Sequence, residues 1–259
     1  MVHFRMKLAG YVVEVSALFE STPVYCEDFL TEEAPDFAIC VSEADLPAEQ
    51  ERLYQEAREE GLRPRVFKDP FLERSVIQQK VAEALLDYSA IDMHGSVVAV
   101  DGYAFLFTAK CGTGKSTHTR LWRQLLGDRA VILNDDKPIL RIEKDHVLAC
   151  GSPWMGKHGI GANLTLPLKG ICILERGKEN SIMPISGQEA MPMLLRQGNV
   201  PQIEENIPRY HALINKIAEL VPFFKMQCNI SADAAKMAYE AMAATDIRNL
   251  GNEKQEGML

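Results

Sequence analysis

HGSVVAVDGYAFLFTAKCGTGKS, residues 94–116, followed by AVILNDD, residues 130–136, carries most of what this chain says about itself. Asp101-Gly102 lies between two apolar runs, Val97–Val100 and Tyr103–Phe107. An Asp-Gly pair suits the two positive-φ positions of a type I′ turn, so the segment predicts a tight β-hairpin. If Val100 pairs with Tyr103, Val97 stands opposite Leu106 and His94 opposite Ala109. Both strands are apolar on both faces, which predicts a hairpin buried inside the protein.

Directly after the second strand comes Ala109-Lys110-Cys111-Gly112-Thr113-Gly114-Lys115-Ser116. A loop that cradles phosphate needs small residues whose backbone N–H groups turn inward around an anion. It also needs a lysine to reach the β and γ phosphates and a hydroxyl to hold Mg²⁺. Gly112 to Ser116 supply these parts in order, between an expected strand and an expected helix, Thr117–Leu126, with Leu121, Trp122 and Leu125 inward. The helix N-terminus adds its partial positive charge. The usual opening glycine is Ala109 here.

Asp135 and Asp136 end the next apolar strand, as metal-binding acids of a phosphoryl-transfer site do. Two adjacent acids can divide the work, one holding Mg²⁺ and the other accepting the proton of an attacking hydroxyl. His94 falls level with the loop mouth in the expected register, where it would contact the γ phosphate or tune an acid. Cys111 sits within the loop as a small residue or a redox-sensitive one.

Outward from this centre the chain is ordinary for a globular protein, 259 residues long, 47% hydrophobic and 25% charged. Residues 1–65 read as a strand-rich subdomain with one helix, Pro47–Glu60, and residues 66–259 as the catalytic domain. Strands are expected in Lys7–Phe19 and Asp36–Val41, and a helix over Pro70–Tyr88. Ile139–Ile142 and Val147–Ala149 read as a second hairpin and Gly170–Glu175 as a buried strand. From Ser186 onward the chain reads as mainly helical, with a capping box at Ser186 and Glu189. Gly151–Asn163 is a glycine-rich loop; Lys157 would neutralise the moving phosphoryl group, and Trp154 would stack on a ligand or anchor the loop.

The formal net charge of −8 argues against nonspecific nucleic-acid or anionic-membrane binding. Six scattered cysteines without a C-x-x-C pair disfavour a zinc site or a disulfide framework. No signal peptide or bilayer-length apolar run is seen, so a cytoplasmic location is expected.

With these residues in view, Met93–Leu140 resembles the C-terminal catalytic domain of HPr kinase/phosphorylase, whose nucleotide-binding core is shared with phosphoenolpyruvate carboxykinase. The likeness rests on His94-Gly95, on Gly112–Ser116 and on Asp135-Asp136. Gly151–Lys157 is similar to a G-x-P-W-x-G-K loop of HPr-kinase-like proteins. The resemblance implies an α/β fold, a P-loop core with a mixed sheet flanked by helices, preceded by a strand-rich segment. It implies a Mg²⁺- and ATP-dependent kinase acting on a serine-like hydroxyl of a protein, peptide or metabolite.

In that reading Asp135 is the base, while Asp136 and Ser116, with Asp135 nearby, hold the metal. His94, Lys115 and Lys157 assist transfer, and Ala109, Cys111, Gly112, Thr113, Gly114, Lys115, Ser116 and Thr117 bind nucleotide. Bifunctional members often carry an acid where Thr117 stands, so neither phosphorylase activity nor HPr as substrate is implied. A nucleotide-binding regulator without transfer activity is the alternative, and the region before His94 is available for docking or for a homo-oligomer contact.

Overall fold

The computed structural model describes residues 1–59 and 61–245, and at Lys157 the backbone alone. The chain divides into two compact units, Met1–Leu85 and Leu86–Leu259. The division falls later than the boundary expected at residue 65.

In the first unit, β1 (Val2–Leu8) and β2 (Tyr11–Ala17) form an antiparallel hairpin, and β3 (Phe37–Cys40) adds to β2 in parallel. The turn at Ala9-Gly10 has positive φ at both residues. It interrupts the stretch expected as strand from Lys7 to Phe19. Between β2 and β3 lies a short helix, α1 (Ser21–Tyr25). Next come α2 (Asp45–Glu59) and α3 (Asp69–Leu85).

The reason α3 belongs here is its inward face. Leu72, Val76, Ile77, Val81 and Leu85 are buried, and the helix packs on α2, β2 and β3. Glu73, fully buried, accepts hydrogen bonds from the Leu18 N–H and the Thr22 hydroxyl. A buried carboxylate needs such donors.

The second unit holds a nine-stranded mixed sheet with helices against it. Its strands are β4 (Ala90–Asp92), β5 (Ser96–Val100), β6 (Tyr103–Thr108), β7 (Ala130–Asn134), β8 (Ile139–Ile142), β9 (Val147–Cys150), β10 (Thr165–Arg176), β11 (Ser181–Ile185) and β12 (Phe223–Cys228). Its helices are α4 (Lys115–Leu126), α5 (Gly187–Gln197), α6 (Ile207–Leu220) and α7 (Ala232–Ala243). Along the main path the strand order is β4-β8-β9-β10-β6-β5-β7, and β12 joins β10 and β11.

The hairpin register is Val100↔Tyr103 through Ser96↔Phe107, and Asp101 and Gly102 both have positive φ. The β5 strand lies between β6 and β7, buried along its whole length. The ladder ends at Ser96, so His94 is not paired with Ala109 as the counting predicts; its carbonyl instead accepts from the Thr108 hydroxyl at 3.0 Å.

Alternation along β6 and β10 sends side chains to two cores. Leu106, Ile171 and Ile173 pack with α5 and α6 residues such as Leu194, Ile214 and Ile217. Phe105, Phe107, Cys172 and Leu174 pack with Trp122 of α4 and with Ala234 and Ala238 of α7.

One expectation needs correction. Helix α4 starts at Lys115 and buries His118, Thr119 and Trp122, whereas Leu125 is exposed. The chain after Ser186 is mainly helical, as expected, with one strand, β12, parallel to β10 from Ile171↔Phe223 to Arg176↔Cys228. Among the described residues, no helix is long and apolar enough to cross a membrane.

Candidate functional site

The end of β6, the loop after it and the first turn of α4 make a strand–loop–helix unit. Gly112 (φ 72°) and Gly114 (φ 121°) supply backbone that residues with a Cβ rarely adopt. Helix α4 begins after Gly114 with no side-chain cap, and its first helical bond runs from the His118 N–H to the Gly114 carbonyl at 2.9 Å. The amides of its first turn therefore lack helical acceptors. Lys115 is 8% exposed, and its Nζ reaches back across the loop to the Ala109 carbonyl at 3.3 Å. Ser116 and Thr117 are half-buried; Cys111 and Gly112 are exposed.

Asp135 and Asp136 leave the end of β7 beside this unit. Ser96, at the start of β5, donates its hydroxyl to Asp135 Oδ1 at 2.7 Å and lies 2.8 Å from Thr119 Oγ1. Thr119 Oγ1 also lies 3.5 and 3.3 Å from the Lys115 and Ser116 carbonyls. Two hydroxyls thus tie Asp135 to the first turn of α4. The turn that carries Asp136 is fixed by Asn134, whose Oδ1 accepts the Asp136 and Lys137 N–H groups at 2.8 and 2.7 Å. Gly95 donates to the Asp136 carbonyl at 2.9 Å.

His94 Nε2 lies 3.4 Å from Asp136 Oδ1. Burial, and then the charges of Lys115 and Lys137, push the His94 pKa down to about 3. The imidazole is therefore neutral near pH 7, and its approach to Asp136 is a contact between neutral ring and carboxyl group, not an ion pair. Burial pushes the Asp136 pKa up, Lys137 and Lys115 oppose that, and Asp135 and Asp92 add to it. Lys115 therefore lies within electrostatic reach of both groups.

The glycine-rich loop reaches the same place. A Cβ built on Gly156 would sit 3.1 Å from the Asp136 Cβ. Trp154 is 7% exposed, and its carbonyl accepts the Lys137 N–H at 3.2 Å, so this ring anchors the loop rather than standing open to a stacking partner. The Lys157 side chain lies outside the described residues.

Sequence reasoning missed several participants. Arg176, at the end of β10, donates to the Gly112 and Thr113 carbonyls. Its position at the carboxyl end of a strand parallel to β6 was the available signal, because ligands of α/β sheets gather there. Ser96 was visible as the one hydroxyl in an otherwise apolar buried strand. Beside the loop lies a cavity of about 610 Å³ whose walls include Gly112, Thr117, Leu121, Leu174 and Arg176.

Among the described residues there is no group of three or more His, Cys, Asp or Glu spaced to hold a metal. The oxygen set Ser116, Asp135 and Asp136 is too small to enclose an ion by itself. These are oxygens of the hard kind that Mg²⁺ favours, an ion that keeps several waters and shares substrate phosphates.

Fold and site together define a mixed α/β protein in which a glycine loop, a buried lysine and two aspartates converge between a strand and a helix. No family model matches the chain, and no curated protein does. Among solved structures it is similar to the HPr(Ser) kinase/phosphatase from Coxiella burnetii, with 11% identity and a TM-score of 0.35, over 62% of this chain and 98% of that one. At that score the likeness carries no weight on activity.

Proposed function

We propose that the chain is an ATP-dependent kinase that transfers a phosphoryl group to a serine-like hydroxyl. The observation that supports this most is the meeting of Lys115 and the uncapped turn of α4 with His94, Asp135 and Asp136.

In this reading the amides from Gly112 to Thr117 and the Lys115 ammonium bind the phosphates, where a helix N-terminus favours an anion. The 610 Å³ cavity beside the loop receives the remainder of the nucleotide. Ser116 and Asp136 would hold Mg²⁺, which when bound spreads the negative charge of the β and γ phosphates. Asp135 keeps one oxygen on Ser96, and the other is available to accept the acceptor's hydroxyl proton as that oxygen bonds to phosphorus and the bond to the β-phosphate oxygen breaks. His94, neutral and beside Asp136, orients that carboxylate without adding a charge. Arg176 steadies the loop through two of its carbonyls.

Isothermal titration with ATP and Mg²⁺ should show binding to the wild-type chain and its loss in Lys115→Ala. Equal affinity in both would overturn the reading. Incubation with γ-labelled ATP and a cell extract separates the kinase from a nucleotide-binding regulator. A labelled acceptor supports the former, and tight binding without any acceptor the latter.

A further inference from the structure

A second cavity, of about 330 Å³, lies on the α5 side of the sheet near the end of β10, with Lys110, Glu175, Glu189, Met193, Arg196 and Lys225 in its walls. It borders the proposed transfer site at two points. Lys110 belongs to the loop, next to Cys111. Arg196 precedes Gln197, whose carbonyl accepts the His94 N–H at 2.7 Å.

The charges of this cavity are unevenly matched. Glu175 pairs with Lys225 at 2.9 Å. One oxygen of Glu189 is held by the Ser186 N–H and hydroxyl, both at 2.8 Å, in the cap of α5. The side chains of Lys110 and Arg196 have neither an ion pair nor a hydrogen bond among the described residues. Three cations therefore face two carboxylates that are already engaged, in a protein whose net charge is −8. A local excess of one positive charge against that background attracts one anionic group.

We propose that this cavity is the acceptor subsite and that the acceptor is a small hydroxy-carboxylate, its carboxylate held between Lys110 and Arg196. This rests on the kinase reading. The volume stands at the lower end of ligand cavities, about 300 Å³, which suits a molecule of amino-acid size rather than a protein segment. Met193 offers apolar wall to the carbon skeleton, and the guanidinium of Arg196 matches a carboxylate with paired N–H groups.

The test is titration of the full chain, with and without Mg-ATP, using L-serine and glycerate as probes and serinol as the control that lacks the carboxylate. At least one acid should bind and serinol should not. Arg196→Gln should weaken the acid by about tenfold to a hundredfold, the loss expected for one hydrogen bond to a charged group. Arg196→Lys should recover part of it, and ATP affinity should stay at the wild-type value in both variants. Binding of neither acid, equal binding of serinol, or an Arg196→Gln variant with unchanged acid affinity would each overturn the proposal. Failure of the wild-type chain to bind ATP ends the kinase reading separately, because the titration without nucleotide reads the carboxylate site by itself.

Discussion

Gly156 shows how much rests on one absent side chain. Its φ is 67°, and a Cβ there would meet Asp136 Cβ at 3.1 Å and the carboxyl atoms at 3.5 Å. Gly156→Ala should cost about 1–2 kcal/mol in urea unfolding, from the left-handed backbone alone. In the kinase reading it should lower turnover by more than that stability loss explains, because the methyl presses on Asp136. Unchanged turnover in a folded variant would separate Gly156 from the chemistry. Ser96 is the complementary case, a hydroxyl placed where the strand could have carried another valine. Ser96→Ala leaves Asp135 Oδ1 and Thr119 without their shared partner.

Among the elements, the hairpin β5–β6 and the helix after it were legible because local chemistry dictates them. An Asp-Gly turn sets the register, and an apolar strand leading into glycines sets the loop. The capping box at Ser186 was equally local. What could not be read was β12, FFKMQC, whose identity as a strand depends on a parallel partner far away in the chain, β10. The β1–β2 turn was missed because Ala9-Gly10 lacks the asparagine or aspartate that marks most such turns. The inward face of α4 was misjudged because polar His118 and Thr119 are buried in place of Leu125. Their burial makes sense once Thr119 is bonded to Ser96 and the His118 Nε2 accepts the Trp122 indole N–H at 3.3 Å. Trp122 is fully buried, 5.1 Å from the Phe105 ring, 5.2 Å from Phe107 and 5.4 Å from Tyr239, centroid to centroid. Trp122→Ala should therefore destabilise the protein by about 3–5 kcal/mol in denaturant melts. A loss below 1 kcal/mol would mean that this core is not cooperative with the rest.

Across the whole molecule, the cysteines divide by accessibility. Cys40 and Cys111 are exposed, whereas Cys26, Cys150 and Cys172 are buried. Burial raises the Cys26 thiol to about 12, despite Arg74, and lifts Cys172 higher still. Alkylation of the native protein near pH 8 should label Cys40 and Cys111 first and reach the buried three only on unfolding. In the kinase reading, Mg-ATP should protect Cys111 and leave Cys40 untouched; equal protection of both would place the nucleotide elsewhere. The candidate site was legible in its loop and its acids, each a short local run, and not in Arg176, which reaches the loop through tertiary structure.

The β6 strand that leads into the glycine loop is flanked by β5 on one side and, in parallel, by β10 on the other. During synthesis β5 emerges just before it, but β10 begins only at Thr165, and Arg176, which grips the loop carbonyls, comes last. A nascent chain released short of residue 176 would carry the loop's complete motif and still lack the strand that walls it and the guanidinium that steadies it. In the kinase reading, a chain truncated before residue 176 should fail to retain nucleotide.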